Sequence, residues 1–65
     1  LMDSQRLLLT IPEVASRLGL GRSLVYQLVM KGEISSIKVG RARRVPVTAL
    51  EQFILDRIAL AQGDG

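Results

Sequence analysis

The chain has no cysteine and no histidine. Without thiols there is no disulfide framework and no thiolate zinc site to staple a small fold. Without imidazole the chain lacks the commonest general base and the usual metal ligand. Its acids are scattered, so no nucleophile–base pair or metal cluster can be assembled, and neither an enzyme nor a cofactor protein is expected. Aromatic residues are nearly absent: one Phe, one Tyr and no Trp in 65 residues. Any core must therefore be aliphatic. No apolar run approaches the roughly 20 residues needed to span a bilayer, and no signal-peptide pattern is present. The expectation is a soluble intracellular protein with no membrane contact.

Acids are also missing from one region in particular. Between Val14 and Leu50 stand Arg17, Arg22, Lys31, Lys38, Arg41, Arg43 and Arg44 against Glu33 alone. That middle section carries +6 (seven basic minus one acidic), whereas the whole chain carries +3. A local excess of this kind is the electrostatic footprint of a polyanion partner. With 48% hydrophobic residues the chain builds one core. A domain of this size buries only about 60% of the surface its unfolded form exposes, so its stability is marginal. The expected organisation is an N-terminal arm (1–7), one domain (8–62) and a disordered tail (63–65).

Along the chain, Thr10-x-x-Glu13 is a capping box with Pro12 in the first turn, which starts a helix at about Ile11. Ile11, Val14, Ala15 and Leu18 share one helical face, and Gly19 closes the element. After the tight Gly19-Leu20-Gly21 turn, with Leu20 as its apolar plug, a second helix runs from about Arg22 to Lys31 and ends at Gly32. Leu24, Val25, Leu28 and Val29 form its expected buried face; Ser23, Tyr26, Gln27 and Met30 lie opposite. The stretch from Ile34 to Pro46 is β-branched and alternating (Ile34, Ile37, Val39, Val45, Val47). It reads as two short strands around a tip at Gly40 to Arg43, with Pro46 at a strand end or edge. A second capping box, Thr48-x-x-Glu51, starts a third helix from about Ala49 to Ala61. Leu50, Phe53, Ile54 and Arg57 fall on one stripe, Ile58, Leu60 and Ala61 beside it, and Leu55 on the other side.

A short helical pair followed by a basic hairpin predicts a mainly α fold with a small β-hairpin, a winged helix–turn–helix with a C-terminal helix. Its expected partner is double-stranded DNA. The outer face of the second helix offers Arg22, Ser23, Tyr26 and Gln27 to base edges, with Lys31 near the backbone. The wing brings Lys38, Arg41, Arg43 and Arg44 to phosphates or to a narrow minor groove. Thr10, at the capped start of the first helix, and Arg17 are candidates for a phosphate clamp, because helix N-termini favour anions. Leu55 and Ile58 are either a contact for a neighbouring copy or partner protein, or ordinary surface aliphatics. One such module touches few base pairs, so cooperative self-association on DNA is expected.

Several strings together resemble the excisionase-type DNA-binding domains, relatives of the MerR winged helix. The first is Leu9-Thr10-Ile11-Pro12-Glu13-Val14-Ala15-Ser16-Arg17-Leu18-Gly19, followed by Arg22-Ser23-Leu24-Val25-Tyr26-Gln27-Leu28-Val29 and Lys31-Gly32-Glu33-Ile34. The last are Lys38-Val39-Gly40-Arg41-Ala42-Arg43-Arg44-Val45-Pro46 and Leu50-Glu51-Gln52-Phe53-Ile54. The family pattern has Ser where this chain has Gly21 and often an aromatic where it has Ala42, so the wing relies on arginine rather than on stacking. The resemblance implies a MerR-like fold and a phage or mobile-element factor in the bacterial cytoplasm or nucleoid. It also implies binding and bending of attachment-site DNA and recruitment of an integrase, a tyrosine or serine recombinase, to promote excision. The alternative with the same fold is a small transcriptional repressor. A protein-docking role for the second helix is disfavoured by the cationic wing, and the lack of a sensor domain disfavours an effector-responsive activator.

Overall fold

The computed structural model describes residues 7–63. In chain order the elements are β1 (Leu8–Leu9), α1 (Ile11–Leu18), α2 (Arg22–Met30), β2 (Ile37–Val39), β3 (Ala42–Pro46) and α3 (Val47–Gly63). The three strands form one antiparallel sheet in the order β1-β3-β2. Helices and sheet together make a winged helix–turn–helix.

Local chemistry sets the ends of α1 and α2. The Thr10 hydroxyl accepts from the Glu13 amide at 3.2 Å, and the Glu13 carboxylate accepts from the Thr10 amide at 2.8 Å. The expected capping box is thus closed in both directions. Both helices end in a Schellman arrangement. Leu20 N–H donates to Ala15 O at 3.0 Å and Gly19 N–H to Ser16 O at 3.3 Å; Glu33 N–H donates to Leu28 O at 2.9 Å and Gly32 N–H to Val29 O at 3.0 Å. Gly32 has φ +83°, a left-handed value that an L side chain adopts only at a cost.

The core is aliphatic throughout: Leu9, Val14, Ala15, Val25, Val29, Ile34, Val45 and Leu50 are buried. Phe53, Ile11, Leu18, Leu28 and Val47 pack against its rim. Leu20 and Leu24 lie mostly outside it, at 38% and 46% exposure. For Leu24 the reason is helical phase. Val25, Val29 and the half-buried Leu28 define the inward direction, and Leu24 stands about 90° from it at 100° per residue.

Three expectations are corrected. The sheet has a third strand: Leu8 pairs with Pro46 and Leu9 with Val45, and Val47 N–H donates to Leu7 O at 2.8 Å. Leu7, assigned to an arm, thus belongs to the fold. Ile34 is no strand residue; it is a fully buried plug in the α2–β2 connection, its amide donating to Leu28 O at 3.3 Å. The third helix starts at Val47, not after a cap at Thr48, and includes Gly63. Pro46 is the last strand residue; Val47 N–H still bonds β1 through Leu7 O, and the chain turns directly into helix there. Thr48 lies inside the first turn, and its box with Glu51 is not a cap.

Only the first turns of α3 are held by the body. From Ile54 to Gln62 every residue is exposed, so the predicted apolar stripe is buried at Leu50, half-buried at Phe53, and open beyond. Arg57 lies over the Phe53 ring, 5.1 Å from its centroid, and forms an ion pair with Glu33 in the α2–β2 connection. That pair ties α3 to the segment leading into the wing. Residues 1–6 of the expected arm and 64–65 of the expected tail lie outside the described residues.

Candidate nucleic-acid interface

The second helix presents its predicted outer face. Arg22, Ser23, Tyr26, Gln27 and Met30 are exposed, and Lys31 caps the far end, about 13 Å from Arg22 along the axis. Arg22, Ser23, Tyr26 and Gln27 converge on an open groove of about 420 Å³. A fifth wall comes from Ile11, the first residue of α1. Ile11 shares the helical face of Val14, Ala15 and Leu18. It does pack against the core, but it is only half-buried, and its position at the helix start was the signal that its flank faces outward.

The wing is a two-residue hairpin. Val39 pairs with Ala42 across Gly40-Arg41, and Gly40 has φ +63°. Glycine with positive φ at the first central position suits a type II′ turn, whose twist matches that of the flanking strands. Register then divides the cations. Lys38 faces Arg43 directly and Ile37 faces Arg44, so Lys38 and Arg43 share one face while Arg44 stands on the other. The Lys38–Arg43 face is the one that carries Leu9 and Val45 into the core at the sheet's base. Arg41 is at the tip. Arg43 donates to Ser36 Oγ at 2.8 Å, and Arg44 donates back to the Arg43 carbonyl at 3.0 Å. The four predicted wing cations therefore do not make one patch. Counting outward from Gly40-Arg41 was the signal that could have shown this.

Two cations opposite each other on a strand pair repel, at a cost of some tenths of a kcal/mol. The Ser36 bond offsets part of this and aims the Arg43 guanidinium. Among the described residues no ion pair engages Arg17, Arg22, Lys31, Lys38, Arg41, Arg43 or Arg44. Glu33, the single acid of the middle section, is taken by Arg57. The positive charge around α2 and the wing is thus left for a partner.

The start of α1 is a poorer phosphate site than expected. Thr10 N–H and Oγ1 are both used by Glu13, Pro12 has no N–H, and the Glu13 carboxylate adds negative charge where an anion would sit. Arg17 is exposed in the last turn of α1. Leu55 and Ile58 are exposed at 59% and 47% on the free part of α3, and Leu55 borders an open groove of about 340 Å³ with Glu51 and Ile54. No group of three or more potential metal-ligating side chains converges among the described residues, nor is any helix there long and apolar enough to cross a membrane.

Comparison with known proteins agrees with this geometry. The family model described as a helix-turn-helix domain matches residues 8–57. A protein named "Probable excisionase" from Saccharopolyspora erythraea is 50% identical over 54 residues, covering 83% of this chain and 55% of its own length. An "Excisionase" from Streptomyces ambofaciens is also 50% identical over 54 residues, covering 83% of this chain and 87% of that protein. The chain thus spans about half of the first relative and most of the second. No solved structure matches the chain.

Proposed function

The chain belongs to the excisionase-type helix-turn-helix domains, and from that membership we propose that it binds duplex DNA at attachment sites, bends it and promotes excision by an integrase. The observation that carries the reading is the positive charge on two separate elements, α2 and the wing, which forms no ion pair among the described residues, with Glu33, the acid between them, taken by Arg57. Helix α2 enters a major groove and offers Arg22, Ser23, Tyr26 and Gln27 to base edges, while Lys31 approaches the backbone. Lys38 and Arg43, with Arg41 at the tip, reach the adjacent phosphates or minor groove; Arg44 supports them from the opposite face. Arg17 is a further backbone contact. The protein acts by occupying and shaping DNA, not by catalysis.

A module of this size reads few base pairs, so useful specificity comes from several copies on neighbouring sites. Smooth bending of a 20–30 base-pair site costs on the order of 1–6 kcal/mol, which several basic modules together offset. The test has two stages. Circular-permutation gel shifts on attachment-site DNA should show cooperative occupancy and a bend. Recombination in vitro with an integrase that acts on the same attachment sites should yield excision only when this protein is present. A single unbent complex and protein-independent excision would remove the architectural role.

A further inference from the structure

The groove between α1 and α2 has a composition that the proposed recognition face does not by itself require. Its polar walls, Arg22, Ser23 and Gln27, are what base edges ask for, but Ile11 and the Tyr26 ring place apolar surface among them. Tyr26 is 54% exposed, so its ring remains open to a ligand. Ile11 keeps one flank against the core, which fixes its position, and turns the other to the groove. Its place at the first position of a helix with a closed capping box holds it further. Among the described residues no acid lines the groove and Arg22 has no ion-pair partner. An occupant must therefore be compatible with a free guanidinium while bringing a small apolar group to Ile11.

In the major groove one base feature meets both demands. Thymine carries a 5-methyl group that projects from the base edge, within a polyanion whose phosphates complement Arg22. We propose that the Ile11–Tyr26 groove receives the 5-methyl group of a pyrimidine, so that this protein distinguishes thymine from a base lacking that methyl. The inference rests on α2 being the recognition helix and adds the base chemistry it selects. The same contact accepts 5-methylcytosine in preference to cytosine, making occupancy sensitive to methylation at that position.

The test uses the full chain and duplexes selected by it from a random-sequence pool, with each thymine replaced in turn by deoxyuridine. Removing one buried methyl should weaken binding about fourfold at one position or at symmetry-related positions of neighbouring sites, and nowhere else. In Ile11→Ala the thymine duplex should bind more weakly and the thymine–uracil difference should vanish. Ile11→Val, which keeps the helix start packed, should retain at least part of the difference and guards against a folding defect. Placing C·G or 5-methyl-C·G there should show the methylated pair binding more tightly by a similar factor. Sequence-selective binding with no thymine–uracil difference at any position would overturn the groove assignment alone. A difference that persists undiminished in Ile11→Ala would place the methyl elsewhere and also overturn it. If the pool yields no preferred sequence, the reading of α2 fails, and the groove assignment with it.

Discussion

At the residue scale, the interface separates into side chains that should position the duplex and side chains that should read it. Lys38 and Arg43 share a face and form no ion pair among the described residues, so each should contribute a phosphate contact. Replacing either by Ala should weaken binding to every sequence and flatten the slope of log K against log[salt] by about 0.9. Arg44, turned to the other face and bonded to the Arg43 carbonyl, should matter less; equal effects of Arg43→Ala and Arg44→Ala in salt titrations would contradict the division. Tyr26 and Gln27 point away from Val25 and Val29, so their truncation should spare folding. Each should cost about 1–3 kcal/mol on the preferred site and little on random DNA. A large drop in melting temperature for Tyr26→Ala would instead place that ring in the core. That Ser23, Tyr26 and Gln27 are exposed was legible in the sequence, because helical periodicity separates a Leu/Val face from a Ser/Tyr/Gln face. Their grouping in the wing was not read, although the turn position implies it.

At the element scale, residue chemistry marks both ends of α1 and the end of α2 where the structure has them. Thr10 and Glu13 announce α1, and Gly19 and Gly32 announce its end and that of α2. Removing the cap with Thr10→Ala should cost about 1 kcal/mol, measurable by thermal or denaturant unfolding. Gly40→Ala tests the hairpin. A Cβ there meets nothing within 4 Å, so the cost is backbone strain alone, about 1–2 kcal/mol at a left-handed residue. DNA affinity should fall with it, since the strain acts on the tip that carries Arg41. The elements missed were those without a local signal. Strand β1 is two residues long, too short for alternation to be seen, and it exists because Leu9 has a buried place beside Val45. Thr48 and Glu51 satisfied the capping pattern, yet the helix starts earlier, because Pro46 had already ended the strand.

At the scale of the whole molecule, a 65-residue chain has about 3–10 kcal/mol of stability in total, from roughly 0.05–0.15 kcal/mol per residue. Among the described residues eight buried aliphatic ones hold it, and Leu9 is one of those fully enclosed. Leu9→Ala should cost about 2–5 kcal/mol, enough to unfold much of the population at room temperature if the domain lies at the low end. An unchanged melting temperature would show that β1 is not part of the folding unit. The same small core explains why the apolar packing of α3 stops at Phe53, beyond which the Arg57–Glu33 ion pair is its tie to the body.

On the proposed function DNA is gripped by two elements with different tasks, the wing for phosphates and α2 for bases. Anisotropy titrations over a range of salt, on a preferred and a random duplex, compare the wild type with Lys38→Ala/Arg43→Ala and Tyr26→Ala/Gln27→Ala. The account predicts that the wing variant loses affinity equally on both duplexes and flattens the salt slope by about 1.8. The helix variant should keep the slope and lose only the preference. Identical salt slopes in the wild type and the wing variant, with unchanged preference in the helix variant, would contradict it.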